Sequence, residues 1–278
     1  MCEQITYNSK VHDLIAPLYE ARHGEIFNQT EQQRIRDLLE YAIKCIKTGA
    51  EVPNVLDFGA GTGNLTRHLL DIGVAVVSSD VSAGCLRELK SSSMESRLLE
   101  LSLLNGNDLS QFADESFDMV ATYSVLHHVP DYLAIVSEFV RVLKPGGILY
   151  IDHEVGPDYW QDKPEYQAYC HDVAESQQTL PSTILQKIAH VLRQTNCLNY
   201  LSSALKVSWN RVSDEGDIHV HADDHIEWIK IRSCLESQCE ILREQDYLVC
   251  REQAFPAPAW EKWRSRCVDM RLIVAEKH

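Results

Sequence analysis

Short apolar runs alternate with amphipathic stretches along most of this 278-residue chain. Seven of these runs are predicted to be strands, and they lie at 54–58, 74–79, 98–104, 119–123, 148–151, 240–248 and 270–277. Between several of them, apolar residues recur at intervals of three and four, which predicts helices. Strands that alternate with helices are typical of an α/β fold with a mostly parallel sheet.

Helices are predicted on both sides of this alternating region. Two of them precede the first strand, one over residues 12–21 and one from Asn28 to Ile46, where Asn28 and Glu31 have the spacing of a capping box. Others are predicted over 64–70, 133–142, 184–192 and 224–235. No internal repeat or low-complexity linker interrupts the chain, so we predict one domain that carries a helical cap.

The first predicted strand is followed by three glycines at alternate positions, Gly59, Gly61 and Gly63. Glycine permits a tight turn and a close approach of the backbone to a ligand, because it has no Cβ. The spacing differs from G-x-G-x-x-G, which places a pyrophosphate on a helix N-terminus. Asp57, before the first glycine, would repel a pyrophosphate and suits a cationic ligand. Asp80 ends the second strand, where a carboxylate commonly accepts both ribose hydroxyls.

Composition narrows the class of partner. The formal net charge of −15 and the pI near 5.2 argue against a nucleic-acid partner, because binding nucleic acid requires a basic face. The nine cysteines are odd in number and include no C-x-x-C pair, which indicates a reducing compartment and no disulfide framework or zinc ribbon. We find neither a signal peptide nor an apolar run of membrane-spanning length, so the chain is predicted to be soluble and cytoplasmic.

Three motifs, at 55–63, 116–118 and 143–147, are typical of one known family. On these motifs the chain resembles the class I methyltransferases that use S-adenosylmethionine (SAM), in the small-molecule, type 11 or UbiE-like group. The resemblance implies a Rossmann-like α/β fold whose seven strands lie in the order 3-2-1-4-5-7-6, with the last strand antiparallel and helices on both faces. It also implies four regions: an N-terminal helical lid at 1–50, a SAM-binding core at 51–152, an acceptor-binding insertion at 153–222 and completion of the sheet at 223–278.

The resemblance also implies which residues hold SAM. Asp80 would accept the ribose hydroxyls, and Asp108 would accept the adenine amino group, unless it only forms an Asx turn. Tyr19 and His23, at the joint between the predicted N-terminal helices, would either contact the SAM carboxylate or pack between the helices. The predicted cofactor contacts are Asp57, Gly59, Ala60, Gly61, Gly63, Asp80, Val81, Asn107, Asp108, Leu109, Tyr123, Tyr19 and His23.

The acceptor is expected to bind between the core and the insertion. Mixed aromatic and imidazole side chains suit a small, partly apolar acceptor better than a peptide or a nucleic acid. The predicted acceptor contacts are His127, His153, Tyr159, Trp160, Tyr169, Trp209 and His221. His128 and His219 are the candidate general bases, because an imidazole titrates near neutral pH. The alternative for His128 is a place in the wall of the cavity or a contact to the cofactor.

A group of histidines in the insertion has two interpretations. On a strand, His219 and His221 would share a face, and with His225 they would resemble a metal site. Alternatively, Asp224 and Glu227 form a capping box that starts a helix, and the histidines lie at the rim of the acceptor site. We predict no bound metal.

The resemblance implies transfer of a methyl group from SAM to an O, N or C nucleophile of a small metabolite, which leaves S-adenosylhomocysteine (SAH). The sulfonium is already a strong electrophile, so the protein mainly positions the reactants, and a base is needed only when the acceptor must lose a proton. We predict a small-molecule acceptor, no nucleic-acid or membrane partner, and a monomer or homodimer. The alternatives are a protein or nucleic-acid methyltransferase and a non-catalytic binding protein of the same fold.

Overall fold

A single mixed sheet organises the protein. The computed structural model describes residues 3–92, 99–178, 215–253 and 255–278. The strands of the sheet are β1 (Asn54–Phe58), β2 (Ala75–Asp80), β3 (Leu99–Leu103), β4 (Phe117–Tyr123), β5 (Leu143–Val155), β8 (Cys239–Tyr247) and β9 (Met270–Lys277). Two short strands, β6 (Val220–His221) and β7 (Asp224–His225), pair separately as a hairpin. β5 is longer than predicted because Leu143 already pairs with Phe117 of β4.

The strand order agrees with the order that the resemblance implies. The strands lie as β3-β2-β1-β4-β5-β9-β8, with β1 to β5 parallel and β9 antiparallel to both of its neighbours. Since β8 and β9 are the predicted sixth and seventh strands, the predicted sheet is confirmed. The chain order reverses between β1 and β4, and open α/β sheets bind ligands beyond the carboxyl ends of the strands at such a point.

Helices cover both faces of the sheet. They are α1 (Glu3–Ile15), α2 (Tyr19–Arg22), α3 (Gln29–Lys44), α4 (Asn64–Ile72), α5 (Ala83–Ser91), α6 (Tyr132–Val142), α7 (Pro164–Gln178), α8 (Trp228–Leu235) and α9 (Pro258–Trp263). Alternate strand residues serve opposite faces: Leu56 packs in a cluster with Phe139 of α6, and Val55 packs in another with Leu39 of α3. None of the helices in the described ranges has both the length and the apolar character of a membrane span.

The start of α3 was predicted from the sequence, but the bounds of α1 were not. Asn28 caps α3 as predicted, because its side chain accepts a hydrogen bond of 2.9 Å from the Glu31 N–H. The helix predicted over 12–21 is wrong in its bounds, since α1 begins at Glu3 and ends at Ile15. Pro17 follows, and proline lacks the N–H that would continue the helix and disfavours helical geometry in the residue before it.

The region after the insertion also differs from the prediction. Asp224 was expected to cap a helix, but it pairs with His221 in the β6–β7 hairpin, and its carboxylate lies 2.5 Å from His219 Nδ1. A residue held in a hairpin is not free to cap a helix. α8 starts instead after Glu227, which provides no side-chain cap. The helix predicted over 184–192 lies outside the described residues.

A buried ionic network joins α3 to the ends of three strands. The Arg34 guanidinium contacts Glu31 of its own helix and lies 2.9 Å from Asp152 of β5, and these two carboxylates are almost fully buried. The Tyr123 hydroxyl donates to Glu31 at 3.0 Å, and the Tyr247 hydroxyl donates to Asp152 at 2.8 Å. α3 is therefore fixed to the sheet by charge as well as by apolar packing.

Candidate functional site

A cavity lies where β1, β2 and β4 end. It encloses about 740 Å³ of space between protein atoms, part of it open to solvent. The glycine loop and the ends of the three strands form one side, and α1 contributes Ile5, Asn8 and His12 to the other. This is the position that the strand order predicts for a ligand.

The glycine loop contributes Gly59 and Gly61 to the lining of the cavity. Its first turn is fixed by hydrogen bonds of 2.9 Å from the N–H groups of Gly59 and Ala60 to the Ser79 carbonyl. Gly59 has a φ of +71°, and a Cβ there would stand 2.4 Å from the Val125 side chain. Gly61 has a φ of +53°, and a Cβ there would meet nothing within 4 Å. Gly61 therefore leaves space at the cavity, whereas Gly59 is needed for packing.

Asp80 presents its carboxylate to the same cavity. One oxygen accepts from the Gly61 N–H at 2.8 Å and the other from the Ser82 N–H at 2.7 Å. Burial raises the pKa of the Asp80 carboxyl, and these two backbone donors oppose the shift. A carboxylate has about four acceptor sites, so Asp80 retains the capacity to accept two hydroxyl groups of a ligand.

Asp57 does not line the cavity. Its neighbour Phe58 does, and successive strand residues point to opposite faces. The Asp57 carboxylate is buried and accepts a hydrogen bond of 2.6 Å from Thr66 of α4, and burial raises its pKa to about 7. Asp57 thus joins β1 to α4 beneath the loop. Because its carboxylate is bound by Thr66 and lies outside the lining of the cavity, the structure does not support the predicted contact with a cationic ligand.

The residues that were predicted to contact adenine form a separate turn. Gly106 lines the cavity, but Asn107 and Asp108 do not. Asp108 accepts hydrogen bonds from Asn105 and Ser110, and the side-chain bond with Ser110 is the largest cause that lowers its pKa to about 2. The Leu109 N–H donates to Glu138 at 3.1 Å. The geometry of Asp108 is that of the turn that we named as the alternative.

The predicted contacts from the lid and the second strand divide into two groups. Tyr19 and Val81 line the cavity, and burial raises the pKa of Tyr19. His23 lies outside it, with its ring nitrogens 3.1 Å from Glu25 and 3.0 Å from Glu215. Burial lowers the pKa of His23, but the two carboxylates outweigh it and raise the value to about 9. Ala60 and Gly63 are outside the lining as well.

Strained backbone lies at the end of β4. Ser124 lines the cavity with a φ of +59°, and His153 on the adjacent strand has a φ of +62°. The His153 ring stacks on Tyr123 at 4.6 Å, and its Nδ1 lies 3.2 Å from the Ser124 hydroxyl. Tyr123 lines the cavity, whereas His153 supports it from behind. Non-glycine residues in this region of φ are uncommon and concentrate at functional sites.

The two adjacent histidines after β4 have different environments. His128 lines the cavity, and burial lowers its pKa well below the usual value. His127 is outside the lining, and its Nδ1 lies 2.8 Å from the buried Glu154 carboxylate. Burial lowers the pKa of His127, but Glu154 outweighs it, so the net shift is upward. Glu154 was not predicted, because nothing in the sequence marks an acidic residue within a strand as the partner of a distant histidine.

Most residues predicted from the insertion lie away from the cavity. Tyr169 is fully buried in a separate apolar cluster with Val173 and Leu248, and its hydroxyl donates to the Val249 carbonyl at 2.8 Å. Tyr159 and Trp160 contact each other beside α7, and His221 is exposed in the hairpin. His219 lies 3.1 Å from the Val129 carbonyl through Nε2. Trp209 lies outside the described residues.

Comparison with known proteins identifies the core. Residues 56–151 match the family described as "Methyltransferase domain". The chain is 34% identical over 98 residues to a ubiquinone biosynthesis O-methyltransferase of Xanthomonas campestris, over 35% of this chain and 41% of that protein. It is 29% identical over 158 residues to a demethylmenaquinone methyltransferase of Renibacterium salmoninarum, over 56% and 62% of the two chains. Residues 56–151 are a class I SAM-dependent methyltransferase domain.

A solved structure agrees on the fold of the methyltransferase domain and its surroundings. The SAM-dependent methyltransferase from Mesorhizobium loti superposes with a TM-score of 0.54 at 15% identity, over 86% of this chain and 96% of that one. At this identity the likeness concerns the fold alone. The chain spans about two fifths of the length of the first curated relatives that it matches, the ubiquinone biosynthesis O-methyltransferases of Xanthomonas.

SAM is the cofactor of this class of domain, and two features of the cavity fit it. The Asp80 carboxylate faces the cavity with acceptor sites to spare for the ribose diol. Gly61 leaves open space where the cofactor would pass the backbone. Asp80 and Gly61 therefore fit SAM, and α1 and Tyr19 line the same cavity.

Gly61→Ala tests whether this open space accommodates the cofactor. Gly49 also has a positive φ and open space around its Cβ position, but it lies far from the cavity, so Gly49→Ala is the matched control. Both variants should lose about 1–2 kcal/mol of stability from the left-handed backbone. Only Gly61→Ala should also weaken SAH binding in calorimetry. Equal SAH affinity in the two variants would place the cofactor elsewhere.

Proposed function

We propose that the protein is a SAM-dependent methyltransferase that moves a methyl group from SAM to an O, N or C nucleophile of a small metabolite. The observation that carries this proposal is the meeting of Asp80 and Gly61 at one cavity of a methyltransferase domain, joined by a hydrogen bond of 2.8 Å. A carboxylate fixed beside a glycine that leaves open space suits the ribose of a nucleoside better than it suits a phosphate.

The residues of the chain would act mainly by positioning. Bound SAM supplies a methyl group that is already electrophilic. Asp80 holds the ribose, the turn at Ser124 and Val125 shapes the end of the cavity, and Tyr19 and α1 limit access of water. Alignment of this kind contributes on the order of 7–11 kcal/mol to a bimolecular transfer, which is enough to explain catalysis when the acceptor needs no base.

The lining supports a small, partly apolar acceptor. Ile5, Val129 and Pro130 offer apolar surface, while Asn8 and His12 add polar groups. The two relatives are named as a ubiquinone biosynthesis O-methyltransferase and a demethylmenaquinone methyltransferase, which supports an aromatic or quinone-like ring. The acidic net charge of −15 disfavours nucleic acid.

The candidate bases differ in how free they are to act. His219 is held at both ring nitrogens, by Asp224 and by the Val129 carbonyl. His128 lines the cavity, so it is the candidate that we retain for acceptor contact. We also propose the four regions of the chain named above, a cytoplasmic location and a monomeric or dimeric state. The seven free cysteines among the described residues support a reducing compartment.

Calorimetric titration with SAH tests the cofactor assignment. We expect one molecule bound per chain, displaced by SAM and unaffected by NADH. NADH is the informative competitor, because dinucleotide enzymes also bind a ribose through an acidic residue after the second strand. Competition by NADH with no binding of SAH would overturn the proposal in favour of a dinucleotide site.

A further inference from the structure

Three potential metal ligands, His127, His128 and Asp217, meet at the rim of the cavity. His127 and His128 follow β4 in a short 3₁₀ turn, Leu126–His128. Asp217 belongs to a segment that crosses this turn, where the N–H groups of Ile218 and His219 donate to the His127 carbonyl at 3.0 and 3.2 Å. The ligand atoms of the three side chains all lie within 4.8 Å of one another. Backbone hydrogen bonds thus fix residues distant in sequence in one small cluster.

The separations suit a shared ion. Asp217 Oδ1 lies 3.3 Å from His128 Nδ1 and 3.8 Å from His127 Nε2. Tetrahedral zinc, with bonds of about 2.0–2.1 Å, places neighbouring ligand atoms roughly 3.3–3.4 Å apart. Only small side-chain movements would be required to close the set on one ion.

The imidazole of His127 is oriented as metal ligands usually are. His127 Nδ1 lies 2.8 Å from Glu154, which is itself buried and accepts from the Val125 and Leu126 N–H groups. A carboxylate on one ring nitrogen directs the other nitrogen to the metal, and here the other nitrogen is the one that lies toward Asp217. His128 Nδ1 is buried and lies 3.3 Å from Asp217 Oδ1, so both rings present a nitrogen to the same carboxylate.

Other clusters in the described part of the chain do not have these features. His171, Asp172 and Glu175 also lie close together, but two of them are exposed. The Asp172 carboxylate is already bound by Lys262 and Trp263 at 2.6 Å. The cluster at His127 is therefore the better candidate, because a buried carboxylate orients His127 and two imidazole nitrogens meet one carboxylate.

We propose that His127, His128 and Asp217 bind a divalent transition-metal ion. Two imidazoles and one carboxylate suit zinc more than magnesium or calcium, and three protein ligands leave a fourth position open. His128 also lines the cavity, so the ion lies at its rim. A metal-bound hydroxyl loses its proton more readily, and an acceptor hydroxyl at the open position would gain this activation, a role that rests on the proposed methyl transfer.

Zinc titration of the full chain, freed of metal by a chelator, tests the site. We expect one high-affinity zinc ion per chain in calorimetry. Asp217→Asn and His127→Gln should each weaken it by about tenfold or more, because even residues that only orient a ligand cost 10- to 100-fold. Asp223→Asn changes a nearby exposed carboxylate, and His171→Ala removes a member of the competing cluster, so both controls should bind zinc like the unmodified protein.

The outcomes separate this site from the cofactor site. SAH binding should persist in all four variants, which shows that they are folded and that the cofactor assignment stands independently. Absence of high-affinity zinc binding in the unmodified protein would overturn the metal site. Zinc binding that survives both Asp217→Asn and His127→Gln would overturn it as well, because it would place the ion elsewhere, for example on free thiols.

Discussion

Replacing Asp80 with alanine is expected to weaken SAH binding by about 10- to 100-fold. Hydrogen bonds to a charged group contribute about 1.5–3 kcal/mol, and the Asp80 carboxylate is the buried acceptor that faces the cavity beside Gly61. The variant should also lose some stability, because the carboxylate accepts from the Gly61 and Ser82 N–H groups at 2.8 and 2.7 Å. Calorimetry well below the unfolding midpoint separates the two effects.

Two further variants make the Asp80 result specific. Asp71→Ala removes an exposed carboxylate at the end of α4, and its SAH affinity should be unchanged. Asp80→Asn keeps one oxygen for a backbone donor, so its stability should lie closer to that of the unmodified protein while its affinity falls. If Asp80→Ala binds SAH as tightly as Asp71→Ala does, the ribose assignment is wrong.

Arg34→Met is expected to cost about 3–5 kcal/mol of stability. Removal of one partner from a buried ion pair leaves an uncompensated charge, which is destabilising by that amount. Arg34 lies 2.9 Å from Asp152, whose side chain is 0% exposed, and also contacts Glu31. Methionine keeps most of the apolar stem, so the loss reports mainly on charge. Denaturant unfolding measures it.

Arg36→Met is the matched control on the same helix. Arg36 is 41% exposed and pairs with Glu40 one turn away, so its loss should cost less than about 0.5 kcal/mol. Burial already raises the pKa of Glu31 against the opposing effect of Arg34. Without Arg34 the folded state should bind a proton there more readily than the unfolded state, so the deficit should shrink as the pH falls from 8 to 5. A pH-independent loss equal to that of Arg36→Met would contradict the network.

The sheet could be predicted from the sequence because several local signals agree. β9 and β1 were placed at their observed bounds, since apolar runs flanked by glycine or acidic turns leave few other assignments. The order of the strands came from the resemblance, which depends on the glycine loop and two turns. Asn28 was found because a cap is a local hydrogen bond between neighbours in sequence.

The cavity was only partly predictable, because it depends on contacts between distant residues. α1 lines it, but the buried face of α1 includes the polar Asn8, so apolar periodicity did not reveal the helix. Asp57 was expected at the ligand, yet the alternation of side chains along β1 directs it to Thr66. Tyr169 has the composition of a pocket residue but is held by Val249. Sequence patterns identify residue types, whereas the direction of each side chain depends on the completed fold.

Transfer of labelled methyl from SAM tests the central claim most directly. The protein is incubated with methyl-labelled SAM and lysate of its source, which is then separated into small molecules, protein and nucleic acid, with Asp80→Ala as the matched control. We predict label in the small-molecule fraction that falls sharply in the control. Label on protein or nucleic acid, or no transfer to any fraction by a protein that binds SAH, would contradict a small-molecule methyltransferase.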